Sequence, residues 1–286
     1  MSQIFSKKIK VKNKENKVNV EVFGSSDELI KTCETRSNTD GRFYDMKSRA
    51  DSESEWCGAT YEETMNLLRH GYQPTVESLR GVFNAKVTGE GKRFKFQNGP
   101  VGFAPIVPLA LMGVPNSMID MRMRPIKAKV VDVYFDMTCS CGTKSEQIMK
   151  ASRKILSAVI ELERQGYRFN LYSCTGYFDS SSGDVVAVRV KSAEQPLDLK
   201  RVSFSMAHTA FFRVLGFDWY GKFPIGKYRG GYGHAAYYEF GSDTQEAYKQ
   251  IFKKDAIVFF SAQKMIDGDY SDDKIKEVLE NGNSKN

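Results

Sequence analysis

From residue 127 onward the chain reads as a three-layer α/β sheet, and three observations predict it. Val130-Val131-Asp132-Val133-Tyr134-Phe135 is a near-continuous apolar run of strand length. Residues 145–165 follow with Ile148, Ile155, Val159 and Leu162 on one helical stripe and Gly166 as a natural stop. Residues 167–173 then alternate as a second strand. Strand, amphipathic helix and strand in that order place a helix on one face of a sheet.

The elements after this unit keep the alternation. Ser180-Ser181-Ser182-Gly183 is a turn, and 185–191 is a strand beyond it. Asp198 is placed to cap a helix over 199–215. A Gly- and aromatic-rich insertion covers 216–241, a helix spans 244–252, a strand 256–260, and Ser271 caps a last helix through Leu279. This region, 127–286, is expected to be one domain.

Residues 1–126 read as a mixed β/α region. Ile9, Val11, Val18, Val20 and Val22 alternate with polar residues as in strands. Residues 33–55 are polar and read as a loop. Thr60 and Glu63 have capping-box spacing, so a helix is expected from Tyr61 to a stop near Gly71. Residues 81–100 suggest a hairpin around Gly89-Glu90-Gly91. Five of the eight prolines lie between Pro100 and Pro125, which predicts an irregular connection and a domain boundary near 126.

Composition narrows the function classes. With 286 residues, 41% hydrophobic and 27% charged, the chain fits a globular protein and not a disordered or disulfide-scaffold one. No window is long and apolar enough for a membrane span, and the basic N-terminus lacks the apolar centre of a secretory signal. The net charge of +7 is concentrated: residues 1–20 hold six Lys against Glu15, leaving the rest nearly neutral. Lys7, Lys8, Lys10 and Lys12 therefore form a candidate arm for phosphate backbones, or a charge-protected edge strand. Five irregularly spaced Cys with no C-x-x-C suit reduced thiols in a cytoplasmic setting. No G-x-S-x-G, H-E-x-x-H or Cys–His constellation points to catalysis.

Two segments carry candidate binding chemistry. Asp136-Met137-Thr138-Cys139-Ser140 follows a strand at the carboxyl edge of the sheet, where open α/β folds place ligands. One carboxylate and two hydroxyls at alternate positions can face a hard cation such as Mg²⁺, or can cap helix amides without metal. The segment resembles the D-x-S-x-S metal loop of von Willebrand factor A (VWA) domains, with Thr138 in place of the first Ser. That resemblance implies a VWA-like, Rossmann-type sheet. It makes Thr175 a counterpart of the family's later Thr, with Asp179 or Asp218 for its distal Asp. The second segment is the insertion. Trp219, Tyr220, Phe223, Tyr228 and Tyr232 interleave with Lys222, Lys227 and Arg229. That composition suits a protein hot spot, a platform for unpaired bases, or aromatics that cover the sheet.

Three further segments are similar to an uncharacterised family of phage and prophage proteins. They are W-x-G-x-x-Y-E-E-x-x-x-L-L-x-x-G from Trp56 to Gly71, Gly113-Val114-Pro115-Asn116-Ser117-Met118, and the strand–helix–strand from Val130 to Tyr172 with its E-x-x-G-Y-R turn. The similarity covers roughly residues 56–217 and implies a host-cytoplasm setting. The function expected is non-enzymatic binding of a protein partner, within an oligomeric assembly or as an inhibitor of host defence. Single-stranded nucleic-acid binding and a divalent-metal site are the alternatives.

Overall fold

A computed structural model of the chain describes residues 2–11, 14–37, 45–84, 95–122, 130–179, 181–226, 235–268 and 270–282. Nine strands appear among them. They are β1 (Gln3–Val11), β2 (Lys14–Phe23), β3 (Lys95–Gly99), β4 (Ala104–Pro105), β5 (Met118–Arg122), β6 (Val130–Asp136), β7 (Arg168–Phe178), β8 (Ser182–Lys191) and β9 (Ile257–Ser261). Six form one sheet in the order β1-β2-β8-β7-β6-β9, and β3, β5 and β4 form a second, small one. β6 runs parallel to both β7 and β9, while β8 returns antiparallel to β7.

The large sheet is covered on both faces, which explains its continuous apolar strands. Val131, Val133, Phe135, Phe169 and Leu171 pack in one cluster with Ile148, Ile155, Val159 and Leu162 of the Ser145–Arg164 helix. Tyr134, Tyr172 and Cys174 face the other way, where they meet Tyr248 and Ile251 of the Thr244–Phe252 helix. The Tyr134 and Tyr172 rings stack at 4.6 Å and 5°, a cross-strand aromatic pair. Each face buries several large side chains at roughly 1.5–3 kcal/mol apiece.

Most expected elements are present. Thr60 and Glu63 form the reciprocal capping box at the start of the Tyr61–His70 helix, which ends at Gly71 with φ +82°. Ser271 accepts from Lys274 N at the start of the Asp272–Asn281 helix.

Four expectations are corrected. First, β2 pairs in parallel with β8, with Val20 opposite Val185, so the division at 126/127 runs through the sheet. The Lys-rich segment is thus an edge hairpin of the main sheet, because its alternating Val residues are buried there. Second, the 33–55 segment contains helical turns. Ser26–Thr35 reaches into it, and Met46–Ser52 is capped by Asp45 and anchored by buried Met46 and Ala50. Third, 101–126 is not wholly irregular: β4, the Val107–Leu111 helix and β5 lie in it. β5 pairs with β3, so 95–99 does not return on 81–84, which ends the Gln73–Asn84 helix. The expected turn at 89–91 lies outside the described residues. Fourth, the 199–215 helix is interrupted. Asp198 caps Leu199–Ser205, and a π-helical turn, Phe211–Gly216, leads into the Phe217–Lys222 helix.

Candidate functional site

The loop after β6 is held by its own backbone. Asp136 is fully buried, and its Oδ1 accepts from Thr138 N at 3.0 Å. Thr138 Oγ1 accepts from Gly176 N at 3.2 Å, tying the loop to β7. Ser140 Oγ lies 3.0 Å from Thr143 Oγ1, and Ser140 N donates to Gln263 Oε1 at 2.9 Å. Gln263 stands just after β9, so this bond joins the loop after β6 to the end of β9.

These contacts do not fit a hard-cation centre. Of the four predicted ligands, Thr138 and Ser140 are engaged within the fold, leaving only Asp136 Oδ2 and Thr175 Oγ1 without partners. Burial pushes the Asp136 carboxyl up to about 7, against the pull of its hydrogen bonds from Thr138. The distal candidates are also committed: Asp179 caps the β7–β8 turn through the amides of Ser181 and Ser182, and Asp218 pairs with Lys222 at 2.8 Å.

A buried guanidinium locks the loop from outside. Arg213 comes from the π-helical turn, a feature often found at functional sites. Its nitrogens donate to the carbonyls of Trp56 (2.6 Å), Ser140 (3.1 Å), Cys141 (3.0 Å) and Thr143 (2.9 Å). The same guanidinium lies 4.8 Å from the Trp56 ring centroid, and Trp56 Nε1 donates to Cys141 O. Beside this clamp opens a cavity of about 1020 Å³, lined in part by Glu55, Trp56, Tyr72, Lys144, Glu146 and His208. His208 is buried, which lowers its pKa to about 4 although Glu146 and Glu63 pull it upward. The sequence showed His208 and Arg213 only as members of an expected helix, with no motif to mark them.

The part of the aromatic segment from Phe217 to Phe223 is core, which corrects the reading of Trp219, Tyr220 and Phe223 as a binding surface. Trp219, Tyr220 and Phe223 are buried, with Tyr220 stacked on Tyr177 at 4.3 Å and Trp219 against Phe223 at 4.6 Å. Lys222 reaches Cys33 O and Asp218. The third reading, aromatics covering the sheet, describes these residues: both faces of a wide sheet need large side chains, and this segment supplies them. Lys227, Tyr228, Arg229, Tyr232 and Lys12 lie outside the described residues. On β1, Lys8 pairs with Glu15 at 2.5 Å, and the backbone of Lys10 exchanges two hydrogen bonds with the Gln250 side chain. That amide imitates one residue of a further strand and blunts the sheet edge.

The exposed apolar surface lies where no site was expected. Val101, Phe103, Val107, Leu111 and Met112 are all exposed, Leu111 at 84% and Met112 at 75%. A signal was present: residues 101–112 are twelve consecutive positions without one polar side chain. Such a run on a surface is a mark of interaction.

No helix among the described residues is long and apolar enough to cross a membrane. No curated protein and no solved structure matches the chain. A family model described as "Domain of unknown function (DUF7192)" matches residues 7–285. The chain therefore belongs to the DUF7192 family.

Proposed function

We propose that this protein works by binding another protein, and that the contact surface is the apolar segment 101–112. One observation carries the reading: five large apolar side chains stand exposed within twelve residues, around the β4 strand and the Val107–Leu111 helix. Pro105 and Pro108 stiffen that backbone, which lowers the entropy lost on binding. The segment replaces the insertion as the proposed contact, because Trp219 and Tyr220 offer a partner almost no surface. In the phage setting that the sequence resemblance implies, the partner is a host or phage protein.

The finer reading of the fold as VWA-like belongs to the same proposal. Counted from β6, the four strands β8-β7-β6-β9 stand in the order 3-2-1-4 of doubly wound sheets, with the third antiparallel, which supports it.

The test compares tagged wild type with Leu111→Ser/Met112→Ser by quantitative capture from nuclease-treated cells that carry the gene. A protein captured stoichiometrically by the wild type and lost from the variant is expected. Equal capture by both overturns the proposal.

A further inference from the structure

The cavity beside Arg213 combines features that point to a small ligand. The Ser145–Arg164 helix opens onto it with Lys144 at the cap position; Lys144 N donates to Gln147 Oε1 at 2.9 Å and Gln147 N to Lys144 O at 3.1 Å, which leaves the Ser145 and Glu146 amides without an acceptor among the described residues. Unfilled amides at a long helix's start attract an oxyanion. A second, independent group converges there. His208 is 94% buried (6% exposed), and its Nδ1 accepts from Ala210 N at 3.2 Å, which places the ring proton on Nε2. That Nε2–H has no protein partner among the described residues, and the ring lines the cavity. Gly58 shows how close the elements come. A Cβ on it would lie 2.3 Å from Thr209 Oγ1, 3.3 Å from His208 Cε1 and 3.4 Å from Ser145 Oγ, so only glycine lets the chain pass this close to the Thr209 hydroxyl, which itself lies 2.9 Å from Ser145 Oγ and joins the helix start to the residue after His208.

The same cavity carries acid. Glu53 is paired with Arg49 at 3.0 Å, but Glu55 and Glu146 have no ion-pair partner among the described residues. Arg213 does not offset them toward a ligand, since its donors are turned onto main-chain carbonyls. Donors for an oxyanion and carboxylates without an ion-pair partner among the described residues, in one cavity, suit a ligand that carries both charges. We propose that the cavity binds a small zwitterion, a carboxylate or phosphate carrying a nearby ammonium. Its oxyanion meets the helix amides, His208 Nε2 and Lys144. Its ammonium faces Glu55 and Glu146, beside the Trp56 and Tyr72 rings.

The test uses the intact protein and ligand-observed NMR with free L-amino acids and O-phosphoethanolamine, which separate the carboxylate and phosphate sources. Each amino acid that binds is then compared with its N-acetyl and carboxamide forms. Removal of either charge is expected to weaken binding by about tenfold, the scale of one charge-assisted contact. Lys144→Met and Glu55→Gln alter exposed side chains and should leave the melting temperature unchanged. Each should weaken the zwitterion, and Lys144→Met should narrow the gap to the carboxamide. The proposal is overturned if no zwitterion binds at millimolar concentration, if the neutralised forms bind as well, or if both variants bind like the wild type. His208→Gln provides a further arm: unchanged affinity in a folded variant also overturns it.

Discussion

Trp219 Nε1 donates to Glu21 Oε2 at 2.8 Å, joining the Phe217–Lys222 helix to strand β2 across nearly 200 residues of chain. Glu21 is fully buried, and Arg36 meets the same carboxylate through two bonds of 2.7 and 2.6 Å. A buried carboxylate needs every donor it has. Trp219→Phe keeps the ring and removes the donor, so it should lose about 1–3 kcal/mol in urea unfolding. Trp219→Ala should lose about 3–5 kcal/mol. An unchanged urea midpoint in Trp219→Phe would show that the bond is not formed in solution.

Arg213 predicts a local effect as well as a global one. Arg213→Met removes one donor from each of four main-chain carbonyls, of which Cys141 O keeps Trp56 Nε1 and Ser140 O keeps Thr143 N, and should lose about 3 kcal/mol or more. Hydrogen exchange should rise first in residues 137–146, the loop that the guanidinium holds. Uniform exchange across the sheet would count against the clamp.

Two buried groups give opposite pH dependences. Asp136 rises from an ordinary 3.8 to about 7 in the fold, so the folded chain holds a proton that the unfolded chain has released. Its contribution is greatest below pH 4 and is lost as pH rises toward 7. His208 falls from 6.5 to about 4, so its contribution is present above pH 6.5 and is lost as pH falls toward 4. Between those limits the two slopes, each at most about 1.4 kcal/mol per pH unit, oppose one another. Asp136→Asn should therefore become less stable than itself on acidification from pH 6.5 to 4. His208→Gln should instead lose stability as pH climbs from 4 to 7. Urea midpoints across this range check both signs, and parallel curves for the two variants would refute them.

The apolar surface predicts separation of binding from stability. Leu111→Ser/Met112→Ser should keep the melting temperature, since exposed substitutions usually change stability by within about 0.5 kcal/mol. Partner capture should still fall away. A large drop in melting temperature would instead show that the segment packs in solution.

Local pattern was legible where one residue stretch decides its own state. The stripe Ile148–Ile155–Val159–Leu162, the Thr60–Glu63 box and the Ser271 cap all follow from neighbours within a few turns. Long-range pairing was not. Nothing in Val18-Asn19-Val20 says that its partner is Asp184-Val185, because alternation fixes a strand's faces and not its neighbour. The aromatic run at 217–223 is ambiguous in sequence for a related reason: Trp, Tyr and Phe dominate both cores and interfaces, and only burial separates them. The 101–112 run carries two signals that point apart: its prolines mark irregular backbone, and its unbroken apolarity marks a surface for contact.

The parallel pairing of β2 with β8 also sets an order of events during synthesis. Residues 14–23 leave the ribosome long before 182–191 exist. At translation rates of 5–20 residues per second the delay is ~10–30 s. For that interval Val18 and Val20 have no sheet to enter, and the hairpin offers an open template to any passing strand. The lysines that crowd this hairpin then serve the nascent chain as much as the finished one. They keep the first-made piece of the sheet solvated until its last-made neighbours arrive.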